Sequence, residues 1–126
     1  KPVLGLELAQ EQLDVLGTIP EDSVVKDIME TIQHPASADE QYEEMVLAYK
    51  RQDLKKLFEL INSVSEAGSD MGVFLDQRNI KWVPRMEKMM KDGTIFFAVG
   101  AGHLPGDKGV INLLQKQGYK VEPVLN

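Results

Sequence analysis

The sequence predicts an α/β protein, with short parallel strands at both ends of the chain, a helical block between them, and an incomplete sheet. Three observations carry this reading. Pro2 to Glu7 reads PVLGLE and Thr94 to Val99 reads TIFFAV, two short apolar runs of which the second is β-branched and aromatic with no charge; such runs suit buried strands. Between them apolar residues recur at helical spacing. After them, a helical segment from Asp107 to about Gln117 leads into Tyr119 to Val124, which alternates apolar and polar. Residues 94–124 thus predict a β-α-β unit with a right-handed crossover. Strands are expected over 2–7, 94–99 and 119–124. Two or three strands make a thin sheet, and a run as apolar as TIFFAV wants neighbours on both sides, so part of the sheet is expected from elsewhere.

The elements follow in order. Ala9 to Leu16 predicts a short helix with Gly17 just past its end. Pro20 suits a first helical turn, and Val24, Val25, Ile28, Met29 and Ile32 follow at helical spacing until His34-Pro35, since the residue before a proline avoids the α region. Ser37-Ala38-Asp39-Glu40 reads as a capping box opening a helix to about Lys50. Asp53 caps the next, which sets Leu54, Leu57, Phe58, Ile61 and Val64 on one face. Gly68-Ser69 marks a break. Asp70 to Met90 is helical again, with Pro84 inside it; the pattern favours a new helix at Asn79 over a kink at Pro84. Lys91-Asp92-Gly93 is a turn, Gly100 to Gly106 a loop, Asp107 a helix cap and Gly118 a helix stop.

Composition narrows the function classes. The 126 residues suit one domain or part of one. Hydrophobic residues at 43% and charged residues at 27% describe a folded chain rather than a disordered one. No apolar run approaches the ~20 residues of a membrane helix. No signal peptide is visible at Lys1-Pro2, but the chain does not begin with Met, so more sequence is expected upstream. Net charge is −6, and the cations at Lys50-Arg51 and Lys55-Lys56 are interleaved with acids; no basic stripe exists to neutralise phosphates, so nucleic acid is not an expected partner. With no cysteine, disulfides, thiolate metal sites and a thiol nucleophile are excluded.

Chemistry is expected at the carboxyl ends of the strands, where open α/β sheets bind ligands. Glu7 ends the first run. His103 lies just beyond Val99, in a loop where Gly100, Gly102 and Gly106 permit close backbone approach. A carboxylate and an imidazole at one edge serve as general acid and base, or as two ligands of a divalent metal. They do not complete a metal site, since a catalytic metal takes three protein ligands and water. The bland alternatives are a solvated boundary glutamate and a polar loop histidine. Arg78-Asn79 is either an anion-holding arginine beside a helix cap or a surface arginine before one. His34 reads as a helix-terminal surface residue, Trp82 as a packing anchor, and Met71, Met86, Met89 and Met90 as a packing face. No serine or threonine has a nucleophile-elbow context.

Taken together these residues resemble the TraB/GumN family, which is related to the TIKI metal-dependent proteases. Lys1-Pro2-Val3-Leu4-Gly5-Leu6-Glu7 with Glu11-Gln12-Leu13 resembles its KPVxGLE…EQL segment, Tyr49 and Asp53-Leu54 its mid-domain helix junction, and Arg78-Asn79 with Trp82 its RNxxW segment. Val99 to Gly106 is similar to its VGAGHLPG loop, and Gly109-Val110, Leu113-Leu114 and Gly118-Tyr119 continue the likeness to GYxVEPV. The resemblance covers the chain as the C-terminal half of a longer domain whose first GxxH motif lies upstream. It implies that Glu7 and His103 bind a divalent metal together with that upstream histidine, and act in catalysis. It also implies that Arg78 and Asn79, with Gly100 and Gly102 of the second GxxH, line the same pocket. The implied function is a metal-dependent hydrolase acting on a peptide or protein substrate, periplasmic or otherwise extracytoplasmic, with this piece inactive alone. The alternatives are a non-catalytic peptide-binding or sequestering module of the pheromone-shutdown type, and a piece whose exposed sheet edge drives homo-oligomerisation. Two positions depart from the family pattern: Leu8 stands where threonine is common, and Gln77 where glutamate is common.

Overall fold

The computed structural model describes residues 2–66 and 74–124. The expected break at Gly68-Ser69, Met71 and the side chain of Val64 lie outside the described residues. The element order is α1 (Ala9–Leu16), α2 (Glu21–Gln33), α3 (Pro35–Lys50), α4 (Leu54–Glu66), α5 (Asp76–Met90), a 3-10 turn (Ala101–His103) and α6 (Val110–Lys116).

No strand forms among the described residues, so the α/β expectation, its β-α-β unit and its sheet edge are corrected to a helical architecture. The physical reason is the missing ladder. A β-prone segment becomes a strand only beside another one, and residues 2–7, 94–99 and 119–124 find no such neighbour here. Val3, Phe96 and Val124 are each at least 90% exposed. Side chains from these segments that do find cover find it on helices: Leu6, Phe97 and Val99 pack against a cluster of Trp82, Met86 and Val110.

α5 is the central element. Asn79, Trp82, Val83 and Met86 recur at helical spacing and are all buried. The helix runs unbroken through Asn79 and Pro84, so the break expected at Asn79 is corrected. Asn79 does not cap because its side chain is committed elsewhere, and its backbone N–H donates to the Leu75 carbonyl at 2.9 Å, inside the helix. Pro84 is tolerated because it lies on the exposed side of α5. α6 packs on α5 through Val110 and Leu114, while α3 and α4 pair over a second cluster of Ala48, Leu57 and Leu60. Ala101 joins that second cluster, so the loop carrying His103 lies between the two.

Helix ends explain most other differences from expectation. α3 starts at Pro35 rather than Ser37, with proline in its favoured first position, so the Ser37 capping box does not form. Asp53 does cap α4: its Oδ1 accepts from the Lys56 N–H at 3.0 Å. α6 starts at Val110 with Gly109 before it, and not at Asp107. Its end is a Schellman motif: Gly118 has φ +91°, its N–H donates to the Gln115 carbonyl at 2.9 Å, and the Tyr119 N–H donates to that of Leu114 at 3.1 Å. No helix among the described residues is long and apolar enough to cross a membrane.

Candidate functional site

The site is built on the Trp82 face of α5. Glu7 arrives from the irregular N-terminal segment and is clamped by four N–H donors. Arg78 Nη2 and Gln12 Nε2 donate to its Oε1 at 2.5 and 2.6 Å; Arg78 Nε and Trp82 Nε1 donate to its Oε2 at 3.1 and 3.0 Å. The two-pronged Arg78 contact is the fork geometry that suits guanidinium and carboxylate. Both side chains are largely covered, 9% of Glu7 and 21% of Arg78 remaining exposed. Burial pushes the Glu7 carboxyl up, but the bonds from Arg78, Gln12 and Trp82 and the Arg78 charge outweigh it, and the carboxyl titrates below its ordinary range.

Arg78 also lies over the Trp82 ring, 4.9 Å from its centroid. The same indole meets His103, with ring centroids 4.4 Å apart and planes tilted by 35°. Trp82, expected as a packing anchor, therefore links the carboxylate to the imidazole. A buried indole N–H needs an acceptor, which was the signal available in the sequence. Gln12 gave no comparable signal.

His103 is held by the 3-10 turn, where its backbone N–H donates to the Gly100 carbonyl at 2.9 Å. Its ring is buried, and Nδ1 lies 2.7 Å from Asn79 Oδ1. Asn79, 1% exposed, donates through Nδ2 to the carbonyls of His103 (3.2 Å) and Lys108 (2.9 Å). Burial, and then the Arg78 charge, push the His103 pKa down to about 4, against the opposing pull of Glu7. The imidazole is thus neutral at physiological pH. Among the described residues Nε2 has no hydrogen-bond partner.

A second brace runs parallel to the first. Arg85 Nη1 and Nη2 donate to the two Glu11 oxygens at 3.0 and 2.7 Å, and Nη1 also donates to the Leu6 carbonyl at 2.6 Å. Glu11 in turn accepts the Leu8 N–H that opens α1, at 2.8 Å. Arg85, the Leu8 N–H and the Arg85 charge hold the Glu11 carboxyl down at about 2. Glu7–Arg78 and Glu11–Arg85 together staple the N-terminal segment to α5. Neither pairing was legible in the sequence, because the partners are more than seventy positions apart.

The structure brings Glu7, Arg78, Asn79 and His103 together around Trp82. Gly100 stands at the start of the 3-10 turn, and a Cβ on it would meet only the His103 ring edge, at 3.7 Å. A Cβ on Gly102 would lie 3.1 Å from Ile61 Cδ1, so this glycine lets the loop close on α4. Asn79 and Gly102 also form part of the wall of a cavity of about 360 Å3, with Phe58, Ile61 and Pro105 as apolar lining. At its edge Lys108 pairs with Asp76 at 3.1 Å.

A divalent metal fits this site in part. A buried neutral imidazole with one nitrogen anchored and the other, among the described residues, unbonded is a suitable ligand. The four lone-pair positions of Glu7 are all taken by N–H donors, so Glu7 reaches a cation only by releasing one of them. No group of three histidine, aspartate or glutamate side chains converges among the described residues.

The fold and site define a helical protein in which a buried, amide-anchored histidine and a clamped glutamate share one tryptophan. More particularly, the chain belongs to the TraB/PrgY/gumN family, whose sequence profile matches residues 1–123. It is also similar to Metalloprotease TIKI2 of Xenopus tropicalis, with 43% identity over 47 residues. That stretch is 37% of this chain and 9% of the relative, so the match covers a small part of the longer protein. No solved structure matches the chain.

Proposed function

We propose that this chain is part of a metal-dependent hydrolase of peptides or proteins, in which His103 supplies one ligand of a divalent ion. The observation that supports this reading most strongly is the His103 ring itself: buried, neutral, anchored at Nδ1 and, among the described residues, unbonded at Nε2. Family membership and the likeness to a metalloprotease point the same way. A further ligand comes from an upstream half of the domain that carries a first GxxH. The chemistry such an ion would supply when bound is a lowered pKa of water and a polarised scissile carbonyl. The chain's own residues orient and exclude. Asn79 and Trp82 fix the imidazole. Arg78 and the loop at Gly100 and Gly102 line the substrate side. Glu7, as second ligand or base, takes that part when it gives up one of its donors. An extracytoplasmic place, as in secreted members of the family, goes with this reading.

A second reading is favoured by the saturated Glu7 carboxylate and the absence of a three-ligand group among the described residues. In it the same surface captures a short peptide without cutting it. Calorimetric titration of Zn2+ and Mn2+ into the full-length protein and its His103→Ala variant separates the two. The hydrolase reading expects one ion to bind and the variant to lose at least about 100-fold in affinity. No binding, or binding indifferent to the substitution, rejects it. Peptide binding that survives chelator then supports the capture reading.

A further inference from the structure

The geometry points to Asn79 as a positioning residue that fixes the tautomer of His103. Asn79 is 1% exposed, and one end of its side chain faces two backbone carbonyls, those of His103 at 3.2 Å and Lys108 at 2.9 Å. Carbonyl oxygens only accept, so that end is the NH2 group. Turning the amide over would set its oxygen against both carbonyls and break two hydrogen bonds, one buried and one part-buried, each worth about 1 kcal/mol net and more when a buried group is left unpaired. The other end is therefore the oxygen, and it lies 2.7 Å from His103 Nδ1. An oxygen that only accepts requires the proton to sit on Nδ1. Nε2 then carries the ring's lone pair.

Two further contacts keep the ring from escaping this assignment. The Trp82 indole lies against the imidazole at 4.4 Å between centroids, which limits rotation of the ring. The 3-10 turn fixes the His103 backbone, whose carbonyl is itself one of the two acceptors of Asn79. Asn79 thus holds the same residue by its main chain and its ring, and also ties it to Lys108 in the next turn of the loop. Asn79 lines the cavity wall and at the same time acts through His103.

This inference rests on the reading of His103 as the site's donor, but its test is independent of metal or activity. Long-range 1H–15N correlation spectra of the metal-free protein, recorded at alkaline pH where the imidazole is neutral, identify which ring nitrogen carries the proton. The expected result is a single Nδ1–H tautomer for His103. In Asn79→Leu, of similar size and without an acceptor, that tautomer is lost in favour of Nε2–H or a mixture. An Nε2–H tautomer in the unaltered protein overturns the inference, and so does an Asn79→Leu protein that folds and keeps Nδ1–H. If Asn79→Leu fails to fold, the unaltered protein still decides, since Nδ1–H is expected there and Nε2–H overturns the inference. Absent metal binding beside an intact Nδ1–H tautomer would reject the hydrolase reading and leave the role of Asn79 standing.

Discussion

Glu7 accepts from Arg78, Gln12 and Trp82 at once, so an amide in its place presents N–H groups to N–H groups. Glu7→Gln is expected to destabilise the protein by about 2 kcal/mol, the scale of a lost charged hydrogen bond with its partner left under-satisfied. Because the chain has one tryptophan, the emission of Trp82 reports directly on this site, and a shifted spectrum with a lower urea midpoint checks the prediction. Glu11 gives a pH signature. Its folded carboxyl titrates at about 2 against an ordinary 4.5, so the unfolded chain binds the proton first as pH falls. The stability that Glu11 contributes is full above pH 4.5 and is lost as pH falls toward 2. The gap in unfolding free energy between the native protein and Glu11→Gln should close over that window; a gap independent of pH there would contradict the Arg85 brace. At this scale Glu7 and His103 stand out in the sequence as candidates, because charged and polar types lie beside apolar runs and a glycine loop, whereas Arg78 and Asn79 join them only through the family resemblance; the structure brings all four around Trp82. Their pairings are not legible in the sequence, since nothing local says which arginine faces which glutamate.

At the level of elements, helix periodicity was the reliable signal and helix ends were not. α1 spans Ala9–Leu16, the residues the sequence predicts for it, and the Gly118 stop and Asp53 cap form as expected. α3 and α6 start where proline and glycine permit, not at the residues that looked like caps. Leu8 is informative here. α1 has half of a capping box, with the Glu11 carboxylate on the Leu8 N–H, and Leu8 cannot supply the other half. Leu8 is 70% exposed, so Leu8→Thr forfeits little packing and adds the missing acceptor. It should raise stability by about 1 kcal/mol in thermal unfolding. Gly109 predicts the opposite. A Cβ there would collide with the backbone oxygens of Leu104 and Pro105, which no side-chain motion can relieve. Gly109→Ala should cost about 3 kcal/mol, at the upper end of overpacking effects, and displace the loop that carries His103.

Across the whole molecule, burial is concentrated around α5 and the α3–α4 pair, while α2 buries no residue. Met86 is 1% exposed and Ile32 66%. Met86→Ala should cost about 2–5 kcal/mol; Ile32→Ser, on a solvent-facing side, should stay within about 0.5 kcal/mol. Denaturant unfolding of both variants tests whether the core lies where Trp82, Met86 and Val110 place it.

By itself, the sequence determined the helices of the central block, the acidic net charge, and the polar residues that meet around Trp82. These follow from local periodicity, composition and residue chemistry, which need no knowledge of partners in space. Tertiary structure alone decided that PVLGLE, TIFFAV and the segment after Gly118 do not pair, because a strand exists only relative to a neighbour. It also decided that Trp82 joins Glu7 to His103, and that the Asn79 amide faces two carbonyls and so leaves its oxygen for the imidazole. Each depends on groups distant in the chain meeting at hydrogen-bond distance, and spacing along the sequence does not encode that.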